Sequence, residues 1–306
     1  MKRILILALL FVIACQQGNQ QGQVAEAFRT GSEGVRTNFV ATAPPDKIFD
    51  TESFFAAIDV ENLGAFNIGA PGDRVYLSGF DPRIITGIPA GGIQIPLLEG
   101  KNQFNPRGSQ TQLTFTGGIT RITGDFVPQP IQATTCYKYQ TQATTTTCID
   151  PDPRSTGVRP KVCTPTNVAL GTQAAPVAVS TIEVQPQPGK TTFRIIVNNA
   201  GNGEAFRNTP QTMSKCDPQQ KLAFDEIGYV EVTDVKVGGT SIKPSCRPLD
   251  RQHIRLDSTS KTGQFVCDFT TGPGTAPFVS PITVTLTYGY RNTIQKQVTI
   301  VKTDVN

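Results

Sequence analysis

Apolar and polar residues alternate with a period of two over several short stretches of this chain. Ile282, Val284, Leu286, Tyr288 and Tyr290 alternate with Thr283, Thr285, Thr287 and Gly289, so one face is apolar and the other mostly hydroxyl-bearing. That is the pattern of a half-buried strand. Ile294, Val298 and Ile300 continue it on what reads as a return strand. Phe193, Ile195 and Val197 share a face, as do Ala56, Ile58 and Val60, and Gly/Pro turns recur at short intervals. No segment carries a 3.6-residue apolar stripe of helical length. The pattern predicts an all-β chain of antiparallel sandwiches, most simply immunoglobulin-like.

Two motifs occur twice. Phe54 to Gly64 (FFAAIDVENLG) and Thr192 to Gly201 (TFRIIVNNAG) are apolar strands that stop at Asn-x-Gly. There Asn62 and Asn199 can bond their own backbone, and Gly64 and Gly201 can take positive φ. Ile131 to Ile149 (IQATTCYKYQTQATTTTCI) aligns without gaps on Ile282 to Ile300 (ITVTLTYGYRNTIQKQVTI), matching Tyr137 with Tyr288 and Tyr139 with Tyr290. The repeats predict two copies of one β-unit, each closing on a Tyr-x-Tyr hairpin. Asp150 to Cys163 (DPDPRSTGVRPKVC) has three prolines and no apolar periodicity. The expected organisation is therefore two tandem modules, at 41–150 and 164–306, joined by a linker at 151–163.

The N-terminus carries an address. Lys2 and Arg3 precede the unbroken apolar run Ile4 to Ile13, which is too short for a membrane span and fits a signal peptide over 1–14. Val12-Ile13-Ala14-Cys15 looks like the lipobox of bacterial and archaeal lipoproteins, in which the cysteine receives lipid. Simple secretion, with Cys15 incidental, is the alternative. Gln16 to Gln23 (QQGNQQGQ) offers nothing to pack, so 15–40 reads as lipid site and flexible tether. Without the signal residues Lys2 and Arg3 the chain keeps 26 basic and 24 acidic residues, a balance that makes no case for nucleic acid or an acidic membrane as partner. Membrane contact is expected through the lipid on Cys15 alone.

Six further cysteines remain: Cys136, Cys148, Cys163, Cys216, Cys246 and Cys267. An even number in an exported chain predicts three disulfides, with connectivity open. The hairpin places Cys136 opposite Cys148. Of the three ways to pair the other four, Cys246 with Cys267 and Cys163 with Cys216 is preferred without a deciding observation, while Cys148 with Cys163 is the main competing pair. Metal ligation would need closer cysteines and histidine.

Catalytic chemistry is scarce. His253 is the only histidine, in the charged stretch Asp250 to Arg255, where a solvated surface position is expected. Gly189-Lys190-Thr191 lacks the upstream glycine and following helix of a phosphate loop, and Gly201-Asn202-Gly203 lacks a third glycine. Asp150 and Asp152 are the carboxylates that could share a calcium ion at a module junction. There is no tryptophan for a sugar cleft. No cofactor is expected.

With Ala43-Pro44-Pro45, the CYKYQT…CIDP stretch from Cys136, Ala175-Pro176-Val177-Ala178-Val179 and the closing Thr287-Tyr288-Gly289-Tyr290, the chain resembles a group of secreted two-module β-sandwich proteins of small-genome archaea. The resemblance implies an archaeal cell surface and carries no activity with it. The sequence points to a lipid-anchored surface protein that is structural or binds another macromolecule, without catalysis. Two alternatives stay open: an accessory lipoprotein of a transport or secretion machine, and an extracytoplasmic hydrolase lacking a recognisable motif.

Overall fold

The computed structural model describes residues 28–155, 161–272 and 275–303. The first half supplies β1 (Val35–Phe39), β2 (Lys47–Phe49), β3 (Ser53–Asn62), β4 (Arg74–Ser78), β5 (Ile85–Thr86), β6 (Ile93–Gln94), β7 (Gln110–Ile119) and β8 (Phe126–Ile149). The second supplies β9 (Val168–Ala169), β10 (Val177–Gln187), β11 (Lys190–Asn199), β12 (Glu204–Phe206), the short helix α1 (Pro210–Ser214), β13 (Tyr229–Val237), β14 (Thr240–Ser241), β15 (His253–Arg255), β16 (Thr262–Thr270) and β17 (Phe278–Val301). The molecule is all-β and its strand pairings are antiparallel, except for a parallel contact of β2 with β17.

β8 and β17, 24 residues each, run antiparallel along their whole lengths, from Phe278 opposite Ile149 to Val301 opposite Phe126. The expected Tyr-x-Tyr hairpins are therefore absent, and each segment pairs with the other copy instead. The reason is local: around Gln142 and around Asn292-Thr293 there is no Gly or Pro to reverse the chain, while runs of threonine favour continued extension. This ladder is the spine of a nine-stranded sheet built from both halves, in the order β14-β13-β17-β8-β4-β6, with β2, β12 and β15 attached.

Two four-stranded sheets cover one face of the spine. The first half makes β1-β3-β7-β5 and the second β16-β11-β10-β9. Thr37 of β1 bonds Thr135 on one side of the tyrosines, and Thr141 on the other side bonds the Val177 carbonyl of β10. A single apolar core runs through all three sheets. The alternation read from sequence holds: Ile282, Val284, Leu286, Tyr288 and Tyr290 all face inward and are buried. The stretch read as tether ends earlier than residue 40, because Val35 and Thr37 of β1 are buried against the core and the strand pairs along β3.

Candidate functional site

The two repeated motifs meet at the centre of the molecule. Tyr137, Tyr139, Tyr288 and Tyr290 form a box of buried rings with centroids 5.7 to 6.2 Å apart around its perimeter. Each hydroxyl accepts a backbone N–H: Tyr137 from Val35 (3.2 Å), Tyr139 from Phe66 (3.2 Å), Tyr288 from Val177 (3.2 Å) and Tyr290 from Gly203 (2.8 Å). The arrangement is internally symmetric, since Val35 pairs with Asn62 as Val177 pairs with Asn199. Each asparagine closes its own turn. Asn62 accepts from Gly64 N (3.2 Å) and donates to the Phe66 carbonyl (2.8 Å), and Asn199 does the same with Gly201 (3.2 Å) and Gly203 (2.8 Å).

The glycines of these turns do not adopt positive φ, contrary to the expectation from sequence. Close approach requires them instead. A Cβ on Gly64 would lie 1.6 Å from the Tyr139 hydroxyl, and one on Gly201 would lie 2.4 Å from that of Tyr290. Burial pushes all four phenols above their ordinary value, Tyr290 to about 12. These groups are scaffold, shielded from solvent and held neutral.

The disulfides are Cys136–Cys216, Cys148–Cys163 and Cys246–Cys267. The last agrees with the expectation, and the competing pair Cys148–Cys163 is the one formed. Cys136 and Cys148 cannot meet, because twelve residues of extended strand separate them by about 40 Å. Cys136 instead points to the face opposite the tyrosines, where Cys216 follows α1. A capping box sets that helix: Thr209 accepts from Thr212 N (3.2 Å) and Thr212 returns a bond from Thr209 N (3.0 Å). Met213, Cys216 and Phe206 then form a small second core on Cys136. Cys136–Cys216 thus crosslinks the two halves, and Cys148–Cys163 ties down the stretch read as linker. Disulfides of this kind belong to an oxidising, extracytoplasmic compartment. No helix among the described residues is long and apolar enough to cross a membrane, and Cys15 lies outside the described residues.

The remaining sequence candidates are placed as follows. Asp150 is buried, accepts from Asp152 N (3.1 Å) and pairs with Lys161 Nζ at 2.6 Å, while the same ammonium donates to the Asp152 carbonyl (2.8 Å). A lysine thus occupies the space in which the two aspartates could have shared a cation. Among the described residues no group of three or more His, Cys, Asp or Glu is placed to hold a metal ion. Pro188-Gly189 turns the β10–β11 hairpin, with Gly189 at φ +71°. Lys190 lies 3.6 Å from Asp268.

His253 begins β15, partly exposed, with Nδ1 2.7 Å from the Arg251 carbonyl. Its neighbour Asp250 does not orient it, because that carboxylate pairs with Arg207 at 2.5 Å and is held below the usual carboxylate range by that guanidinium. His253 instead meets the edge of Tyr229 at 6.4 Å. Tyr229 is the middle of a ladder that sequence reasoning missed. Arg207 stacks over its ring at 3.7 Å, Arg255 reaches it at 5.3 Å, and Arg255 also stacks on Phe224 at 4.1 Å. Only tertiary pairing brings these residues together, and no sequence spacing signals it.

Beside Phe224 and Arg255 a groove of about 1010 Å³ opens in the second half. Its floor includes Ile196, Ala205, Ile227 and Leu256, and its rim includes Asn202, Glu204, Asp257, Ser258, Lys261 and Gln264. The charges around the groove balance, Glu204 and Asp257 against Arg255 and Lys261. Glu204 is already bound by Arg291 (2.7 Å), and Asp257 accepts from the backbones of Thr259 (2.9 Å) and Ser260 (2.7 Å). Compared with known proteins, the chain matches no family model and no curated protein.

Proposed function

We propose that this protein works at the cell surface as a non-catalytic structural or binding protein, held to the membrane by a lipid on Cys15. The observation that carries the reading is the groove flanked by the exposed Phe224 (76% accessible) and the stacked Arg255, mounted on a crosslinked β-scaffold. Exposed aromatic and arginine side chains are the usual anchors of recognition surfaces, and arginine stacked on a ring is already ordered before a partner arrives. The state of His253 supports a role without catalysis. It is engaged through its ring and Nδ1 with Tyr229 and Arg251, and its nearest carboxylate is committed to Arg207. The lipobox-like Val12-Ile13-Ala14-Cys15 and the packing-free run after it support tethering.

A photo-crosslinking residue at Ser258 on the groove rim, introduced in intact cells, tests the reading. A discrete adduct at 258, absent when the same probe replaces the exposed Gln112 on β7, is the expected result. No adduct at 258, or turnover of peptide, ester or glycoside substrates abolished by His253→Ala, would refute it.

A further inference from the structure

The two halves of the chain treat one place in the fold differently. Asn62 N donates to the Ser109 carbonyl (2.9 Å) just as Asn199 N donates to that of Lys261 (2.9 Å), so Ser109 and Lys261 are counterparts. Arg74 pairs with Gln94 and Cys136, and Glu231 pairs with His253 and Thr287, the residue aligned with Cys136. This register makes Leu98 the counterpart of Asp257. Ten residues separate Leu98 from Ser109 and three separate Asp257 from Lys261, so the second loop is seven residues shorter.

In the first half the longer loop lies across the Asn-x-Gly turn as an extended segment. Leu98 exchanges two backbone bonds with Ile68 (2.9 and 3.1 Å), and its carbonyl takes a bond from Asn62 Nδ2 (3.0 Å). Gly100 N donates to Asn67 Oδ1 (2.9 Å), and Lys101 N donates to the Gly64 carbonyl (2.6 Å). Gly100 passes so close that a Cβ there would lie 2.7 Å from the Ala65 backbone.

In the second half the segment Glu226 to Gly228 takes the place of Leu98 beside Ala205, with Ile227 opposite Phe206 and Arg207 N donating to the Glu226 carbonyl (2.9 Å), and among the described residues no segment continues along the counterpart of the path from Glu99 to Lys101. Asn199 Nδ2 bonds the Gly203 carbonyl and, among the described residues, has no counterpart of the Leu98 acceptor. Ala205, the counterpart of Ile68, bonds Gly228 N (2.8 Å), which holds Leu256 away from it. The vacated space is the groove, lined by Asn199, Asn202, Gly203 and Asp257. Its volume lies at the top of the range for small-ligand pockets, about 300 to 1,000 Å³.

We infer that the groove of the second half binds an extended peptide segment of a partner protein along the path that Glu99 to Lys101 takes in the first half. The occupant would offer a backbone carbonyl to Asn199 Nδ2 and an N–H to the Gly201 carbonyl, with a small residue where it crosses Asn202. This is strand-like capture in which main-chain bonds give affinity and pockets for alternate side chains give selectivity. Because the charges around the groove balance, salt should affect binding only weakly.

The inference rests on the binding reading above but is tested separately, with the purified full chain and a fluorescent peptide of sequence Pro-Leu-Leu-Glu-Gly-Lys-Asn, copied from residues 96–102. Saturable anisotropy change is expected with this peptide and not with its scrambled form. Ser258→Trp, on an exposed rim position, should weaken binding at least tenfold. Replacing 258–260 by 99–108 should abolish it. If the loop exchange fails to fold, Ser258→Trp alone decides. No saturable binding, or equal binding to Ser258→Trp, overturns the inference. A crosslinked partner at 258 combined with no peptide binding would remove the peptide inference and leave the surface-binding reading standing.

Discussion

Tyr290 donates its hydroxyl to Asn199 Oδ1 at 3.0 Å while accepting the Gly203 amide at 2.8 Å, so one phenol joins the Tyr-x-Tyr spine to the Asn-x-Gly turn. Tyr288 makes a comparable junction between Thr141 (2.8 Å) and Val177 N (3.2 Å). Removing the Tyr288 hydroxyl leaves the Val177 amide unpaired in a dry site, whereas the Gly203 amide that Tyr290 binds is partly exposed at the groove. Tyr288→Phe should cost about 1–3 kcal/mol, the penalty of an unsatisfied buried donor, and Tyr290→Phe about 0.5–1.5 kcal/mol, the net worth of an ordinary hydrogen bond. Urea titration should show a lower midpoint with unchanged slope.

Gly64→Ala should be among the most damaging small substitutions in the chain, because the added methyl would lie 1.6 Å from the Tyr139 hydroxyl and 2.7 Å from the Ala174 carbonyl. A loss of about 3 kcal/mol or more is expected, at the upper end of overpacking costs. Combining it with Tyr139→Phe should recover part of the loss, giving a double-mutant coupling of opposite sign to the single effects.

Alkaline pH should unfold the protein through its tyrosine box. The folded-state values of Tyr137, Tyr139 and Tyr288 are raised by burial, and Tyr290 reaches about 12 from an ordinary value of 10.0. Below pH 10 the phenols are protonated whether the chain is folded or not, so their contribution is whole. As pH climbs from 10 toward 12, the unfolded chain releases protons that the folded chain keeps, and stability falls. With Tyr76 and Tyr229 outside the box replaced by Phe, tyrosinate absorbance should therefore rise in step with loss of β-sheet circular dichroism, not ahead of it.

Non-reducing peptide mapping should recover Cys136 joined to Cys216. Closing a loop with a sequence separation of 80 corresponds to about 4.5 kcal/mol on the chain-entropy estimate. The double variant Cys136→Ser, Cys216→Ser should lose a large part of that in chemical denaturation. Recovery of a Cys136–Cys148 peptide would contradict the strand assignment as well.

Much of this architecture was legible in the chain. The alternation at Ile282 to Tyr290 identified the inward face, and the repeats marked the two motifs that converge at the tyrosine box. What the repeats did not reveal was the partner of each strand. A two-fold related pair of similar patterns satisfies its hydrogen bonds equally well by folding back or by pairing with its copy, and only the lack of Gly or Pro within two residues of Gln142 and of Asn292-Thr293 tells the two apart. The misread hairpin carried the misassigned Cys136–Cys148 bridge with it. The groove left one trace in sequence, the shorter loop between Asp257 and Lys261, visible only after the copies are aligned through Asn62 and Asn199. The ladder of Phe224, Arg255, Tyr229 and Arg207 left none, because it is assembled by pairing across β13, β15 and the segments beside them.

The pairing of β8 with β17 makes the two halves one scaffold, and it is tested most directly by nuclear Overhauser contacts from the backbone of Tyr139 in selectively labelled protein. The ladder sets Tyr139 opposite Tyr288, so a strong cross-strand backbone contact between those two tyrosines is the predicted result. A hairpin centred on Gln142 would set Tyr139 opposite Thr145 instead, and a strong Tyr139–Thr145 contact with none to Tyr288 would contradict the account.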